Sequence, residues 1–230
     1  PIKLKEVIVI DAGHGGHDPG ALGEKVQEKT VTLAAAKALK ARLEGAGRYK
    51  VVLTRDSDAY VALDNRVQIA RRAGADLFIS LHADSGPNKG TRGASIYTLS
   101  DKGSERVQRN LAKGKGGVLK VNQPGATLAV SQILLDLTQR ATRNRSTSFA
   151  QLLVDQVEDE VPLLARSHRS ENFAVLLAPD VPAVLFEMGF ISNAEDEAFL
   201  ASSSKRAKLA DAIGDAIDAY FAEELKLAAR

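Results

Sequence analysis

Apolar positions along the chain fall into short β-branched runs separated by stretches with helical spacing. Residues 7–10 form one such run, ending at Asp11, and the glycine-dense residues 12–23 follow it, which predicts a strand and then a loop. From Lys29 onward Leu33, Ala36, Leu39 and Leu43 recur near helical spacing on Ala-rich sequence until Gly45 and Gly47 stop the helix. Residues 51–53 predict a second strand. Leu63, Val67 and Ala70 predict a short amphipathic helix ending near Gly74, and residues 77–81 a third strand, apolar enough to be covered on both faces.

This βαβαβ order predicts an α/β fold, a mostly parallel twisted sheet flanked by helices on both faces, with ligands gathering at the carboxyl ends of the strands. Residues 94–99 read as a further strand. The rhythm then breaks over residues 100–169, which read as a helical insertion: a helix over 104–112, a Gly/Lys-rich piece at 113–117, and two helical patterns. In the first pattern Ile133, Leu134, Leu137 and Ala141 share a face, and in the second Phe149, Leu152, Leu153, Val157, Val161 and Leu164 do; both faces are expected to pack onto the sheet. Residues 173–177 and 183–186 read as late strands, Ser192 with Glu195 as a capping box, and Leu209, Ile213, Ile217 and Tyr220 as the stripe of a final helix.

Composition narrows the class. A chain of 230 residues, 44% hydrophobic and 26% charged, is read as one domain over residues 1–230 with a core large enough to fold unaided. Its net charge of +2 argues against nucleic acid or an anionic membrane as main partner. The absence of cysteine removes disulfides, thiolate nucleophiles and Cys-based metal sites, so His, Asp and Glu remain as metal ligands. No apolar run approaches the roughly 18 residues of a membrane span. Pro1 opens the chain without an initiator Met or an apolar signal region, so it reads as an excised mature domain, and a monomer is the expected state.

Four histidines exist, at 14, 17, 82 and 168, and two of them, His14 and His82, stand where strands end. Parallel strands deliver their carboxyl ends to one edge, where glycines let the backbone come close, so these two imidazoles are expected to meet. Glu28 opens the first helix and points back to the same edge, which makes it the candidate third ligand, although Glu24 and His17 compete for that place. Glu187 ends the apolar run of residues 183–186. An unpaired buried carboxylate costs several kcal/mol, so Glu187 is either salt-bridged, with Arg66 or Arg169 as partner, or part of a functional site. Two His and one Glu leave a coordination position for water, and a second Glu nearby can accept that water's proton: a hydrolase design.

With these residues in view, the chain resembles end to end the zinc-dependent N-acetylmuramoyl-L-alanine amidases, and among them the catalytic domain of the cell-separation amidases of Gram-negative bacteria. The resemblance rests on Val-Ile-Asp-Ala-Gly-His-Gly-Gly from Val9, Glu28-Lys29, Ser-Leu-His-Ala-Asp over residues 80–84, Asn-Phe-Ala-Val-Leu over 172–176, and Glu-Met-Gly-Phe-Ile-Ser-Asn over 187–193. It implies that His14, Glu28 and His82 bind one zinc ion, that Glu187 is the catalytic carboxylate, and that the substrate is the amide between N-acetylmuramic acid and L-alanine in peptidoglycan. It also implies a periplasmic location, a role in daughter-cell separation, and an activator protein acting on the 100–169 insertion. In that subset a helical Glu blocks the metal. Here no acidic residue lies between Glu105 and Asp136, so weak autoinhibition, or a Glu105 that reaches the metal, is expected instead.

Two rival readings remain at this stage. A strand running into a glycine loop and helix also holds nucleotide phosphates, with Asp56 imitating a ribose acid, but residues 13–20 fit neither G-x-G-x-x-G nor a P-loop. A zinc-holding peptidoglycan-binding module without catalysis would share the metal motifs but lack the strand-end carboxylate, and Glu187 argues against it.

Overall fold

A computed structural model describes residues 5–112 and 128–229. The strands are β1 (Glu6–Ala12), β2 (Tyr49–Leu53), β3 (Leu77–His82), β4 (Ala94–Leu99), β5 (Leu163–Glu171) and β6 (Ala183–Glu187). The helices are α1 (Glu28–Gly45), α2 (Leu63–Ala73), α3 (Asp101–Ala112), α4 (Leu128–Val157), α5 (Ala194–Ala201) and α6 (Ser203–Ala228). The strands form one sheet in the order β2-β1-β3-β6-β4-β5. Only the β4–β6 pairing is antiparallel; the other four pairings are parallel.

Alternation along the strands divides the core. Ile8, Ile10, Leu77, Ile79, Val184 and Phe186 face a layer built from α1, α4 and α6, whereas Val9, Phe78, Ala183 and Leu185 face α2 and residues 175–181. Both faces of the sheet are thus covered, which is why β1, β3 and β6 read as unbroken apolar runs. In α2 the pattern stops where Gly74 takes a left-handed conformation and its N–H caps Ala70 and Arg71.

Four expectations change in the structure. Residues 173–177 are not a strand: Ala174–Leu176 is a 3-10 turn whose Val175 and Leu176 pack toward α2. A short apolar run without alternation fits either state. Leu164 belongs to β5, not to the helical face that ends at Val157. That strand was hidden because it is the sheet edge, where Arg166, Arg169 and Glu171 are exposed and guard an open ladder. Asn193, rather than Ser192 with Glu195, caps α5: its side chain accepts the N–H groups of Glu195 and Asp196, while Ser192 Oγ accepts Gly86 N–H.

The fourth concerns α4. Its second half packs as expected, with Phe149, Leu153 and Val157 in the core. Before that, among the described side chains, the buried positions are Leu135, Gln139, Thr142 and Ser146, whereas Ile133 and Leu137 are 60% and 57% exposed. Leu137→Ser is therefore expected to change stability by no more than about 0.5 kcal/mol. A loss above about 2 kcal/mol in urea unfolding would contradict this placement.

Candidate metal centre

Register aligns Ala12 of β1 with Leu81 of β3, and His82 of β3 with Glu187 of β6, so the candidate residues emerge at one edge. Past β1, the Gly13 N–H donates to Leu81 O, which keeps the chain beside β3 for one more residue. His14 follows with φ 62°, the one non-glycine positive φ among the described residues, a conformation that costs of order 1–3 kcal/mol unless its surroundings hold it. Glycine is obligatory close by. A Cβ at Gly13 would lie 2.4 Å from the His82 ring, and one at Gly20 (φ 67°) would lie 2.5 Å from Glu28 Oε2.

His14, Glu28 and His82 converge, with one donor atom from each lying within 4.8 Å of the others; they are the only such group among the described residues. Glu28 Oε1 stands 3.1 Å from His14 Nε2 and 3.1 Å from His82 Nδ1. Ala83 N–H donates to the same oxygen, and Ala21 N–H donates to Oε2. Behind the cluster, His14 Nδ1 lies 2.9 Å from Asp18 Oδ2, which turns Nε2 inward. An imidazole whose second nitrogen is held by a carboxylate is the usual arrangement of a metal-ligating histidine. The donor set of two imidazoles and one carboxylate fits a borderline divalent cation and leaves a position open.

Electrostatics tie the group together. Burial opposes charge on His14, but the hydrogen bonds and charges of Glu28 and Asp18 outweigh it and lift its pKa to about 9. Burial likewise opposes charge on Glu28, yet the bonds from His14, His82 and Ala83 N–H hold its carboxyl well below the usual range. His82 is raised too: burial works against its charge, and Glu28 and Glu187 overcome it.

Glu187 is buried at the end of β6, where Asp84 N–H donates to its Oε2 at 3.0 Å. Neither Arg66 nor Arg169 pairs with it: Arg66 binds Asp11, and Arg169 is exposed and donates to Arg166 O. Burial, joined by the charges of Glu28 and Asp84, outweighs the pull of His82 and lifts the Glu187 pKa to about 7.

The competitors for the third ligand position lie elsewhere. Glu24 pairs with Lys89 at the surface, and exposed His17 packs its ring 4.2 Å from that of Tyr60. Glu105 is not brought to the cluster. Because β4 runs against β6, Leu99 and the start of α3 lie at the opposite sheet edge, and Glu105 is exposed there. Residues 113–117 fall outside the described residues. Asp56, the mimic of a ribose acid, is exposed. Sequence reading missed Asp18, whose spacing of four from His14 inside a glycine loop was the available signal.

The family model described as N-acetylmuramoyl-L-alanine amidase matches residues 8–219. The chain belongs to this amidase family. Over 222 residues the amidase is 37% identical to N-acetylmuramoyl-L-alanine amidase AmiA of Escherichia coli K12, covering 94% of this chain and 76% of that protein. It is 35% identical over 232 residues to AmiC of Escherichia coli O6:H1, covering 97% of this chain but only 55% of AmiC. Among solved structures, the amidase superposes on the catalytic domain of CwlV, an N-acetylmuramoyl-L-alanine amidase from Bacillus (Paenibacillus) polymyxa var. colistinus. There the TM-score is 0.67 at 29% identity, with 94% of this chain and 98% of that one covered. A nucleotide-binding reading has no support beside these likenesses. No helix among the described residues is long and apolar enough to cross a membrane.

Proposed function

We propose that the amidase holds one zinc ion through His14, Glu28 and His82, and that with Glu187 it hydrolyses the amide joining N-acetylmuramic acid to L-alanine in peptidoglycan. The observation that carries this reading is the convergence of three donors from β3, α1 and the loop after β1 beside a buried carboxylate that pairs with neither Arg66 nor Arg169. Zinc, when bound, supplies the Lewis acidity that polarises the scissile carbonyl and acidifies water. With Asp84 N–H engaging Oε2, Glu187 Oε1 is the atom that takes the proton of the attacking water and passes it to the leaving alanine nitrogen. Two measurements test the reading: zinc stoichiometry, and mass spectrometry of digested peptidoglycan. One zinc per chain and free stem peptides with N-terminal alanine are expected; cleavage at any other bond overturns it.

To hold zinc, His14 would have to give up the proton that it otherwise keeps. In the metal-free protein that proton, held with a raised pKa, stabilises the fold below the ordinary histidine value near 6.5, and the contribution is lost as pH rises through about 9. Zinc affinity is therefore expected to climb with pH up to about 9. Competition against a chromogenic chelator at pH 6, 7 and 8 checks this, and an affinity that stays flat over that range speaks against zinc on His14.

The proposed substrate lies outside the inner membrane, so the proposed place of action is the periplasm, where the amidase serves daughter-cell separation. Residues 100–169 are the proposed regulatory segment. Supporting this, Ile133 and Leu137 expose an apolar stripe on α4 that an activator protein can cover.

A further inference from the structure

Two arginines outside the donor set are almost fully buried, Arg55 at 4% and Arg66 at 2% exposure. Burying a guanidinium is expensive, and only one buried carboxylate, Asp11, neutralises the pair. Most of their hydrogen bonds go to backbone carbonyls. Arg66 donates through Nη1 to Ala12 O (2.7 Å), through Nη2 to His14 O (2.8 Å) and through Nε to Val61 O (2.8 Å). Arg55 donates through Nε to Ala12 O (2.9 Å), and through Nη2 to Gly13 O (2.9 Å) and Lys29 O (2.8 Å). Its Nη1 reaches Ser57 O at 3.0 Å.

The carbonyls of residues 12, 13 and 14 are thus all engaged by guanidinium groups. His14 O needs such a donor because a chain with φ 62° follows neither strand nor helix, and Gly13 O accepts the Thr32 hydroxyl at 2.8 Å as well. The bond to Lys29 O adds a second restraint, since Lys29 follows Glu28 in the first turn of α1. One side chain therefore fastens the His14 loop to the helix that presents Glu28. An apolar pair of similar volume would fill the same space but leave Ala12 O and His14 O without these donors, at about 1–3 kcal/mol each, and Gly13 O with the Thr32 hydroxyl alone.

We infer that Arg55 and Arg66 are positioning residues of the metal centre: they hold the strained backbone of residues 12–14 so that the His14 imidazole meets Glu28 and His82. This rests on the reading that His14 is a metal ligand. Lysine keeps the charge and the aliphatic stem, but its donors all sit on one nitrogen and lack the planar fork that spans these carbonyls, so Arg55→Lys and Arg66→Lys isolate the geometric role. The dissociation constant for zinc, from chelator competition, and the visible absorption of the cobalt-substituted protein are measured for wild type and both variants. Folding is monitored by thermal melting.

Zinc binding in the variants is expected to weaken about 10- to 100-fold, the usual effect of removing a group that orients a ligand. The cobalt bands should shift at the same time, while melting stays cooperative. Stability alone would not move those bands. Wild-type zinc affinity and cobalt spectrum in both variants would overturn the inference even with a lowered Tm. Failure of both variants to fold would assign the arginines to general stability and overturn it too. A wild-type protein that binds no zinc is a separate outcome, which removes the metal reading itself and this inference with it.

Discussion

Glu187→Gln is expected to lower kcat by about 10²- to 10⁴-fold while one zinc per chain stays bound. The substitution keeps the shape of the side chain and an oxygen to accept Asp84 N–H, but removes the basic atom. A carboxylate left at its ordinary pKa would be a weak base at neutral pH; burial beside Glu28 and Asp84 brings this one to about 7, close to the working range. The sign follows directly. The ionised, basic form prevails above that value, so activity falls as pH is lowered through it, and a bound dication beside the carboxylate moves the acid limb further down. The variant's residual rate should lose this limb. Zinc analysis and kcat against pH for both proteins provide the check, and a variant turning over within a few-fold of wild type would remove Glu187 from the chemistry.

Asp11→Ala should be the most damaging change to stability, at about 3–5 kcal/mol. Asp11 has no exposure and accepts three hydrogen bonds, from Thr54 Oγ1 (2.6 Å), Arg66 Nη1 (2.7 Å) and Ser80 Oγ (2.7 Å). Alanine would strand the Arg66 charge in the core and leave two hydroxyls without their acceptor. Most of the cost is the charge, so Asp11→Ala combined with Arg66→Met should recover part of the loss, although it gives up the grip on residues 12–14. Urea unfolding of the three proteins decides this. A single-mutant loss below about 1 kcal/mol would mean that water reaches Arg66.

The sequence carried the central sheet because β1, β3 and β6 are covered on both faces and therefore read as unbroken apolar runs. It carried the location of His14, His82 and Glu187 because parallel strands leave little choice about where their ends meet, whereas Glu28, on a helix, competes with Glu24 and His17 until the family resemblance selects it. What escaped follows a different logic. β5 is polar because it is an edge, so its pattern resembles a loop. Ahead of Phe149, α4 buries Gln139, Thr142 and Ser146 and exposes Ile133 and Leu137, the reverse of what hydrophobicity alone selects. Arg55, Arg66 and Asp11 look like surface residues in a sequence, since charge is normally solvated. Only the fold reveals that they meet one another and a line of carbonyls.

The direction of α4 has a mechanical consequence. Ser146 Oγ accepts Ala183 N–H, so by that point the helix is already level with the amino end of β6. Its preceding residues project further from the edge that carries Glu187. Counting helix and strand rise, Ile133 stands roughly 30 Å from the carboxylate. A grip on that stripe is itself remote from the reaction, so its influence would travel as displacement of a long lever whose far half is anchored under the sheet by Phe149, Leu153 and Val157.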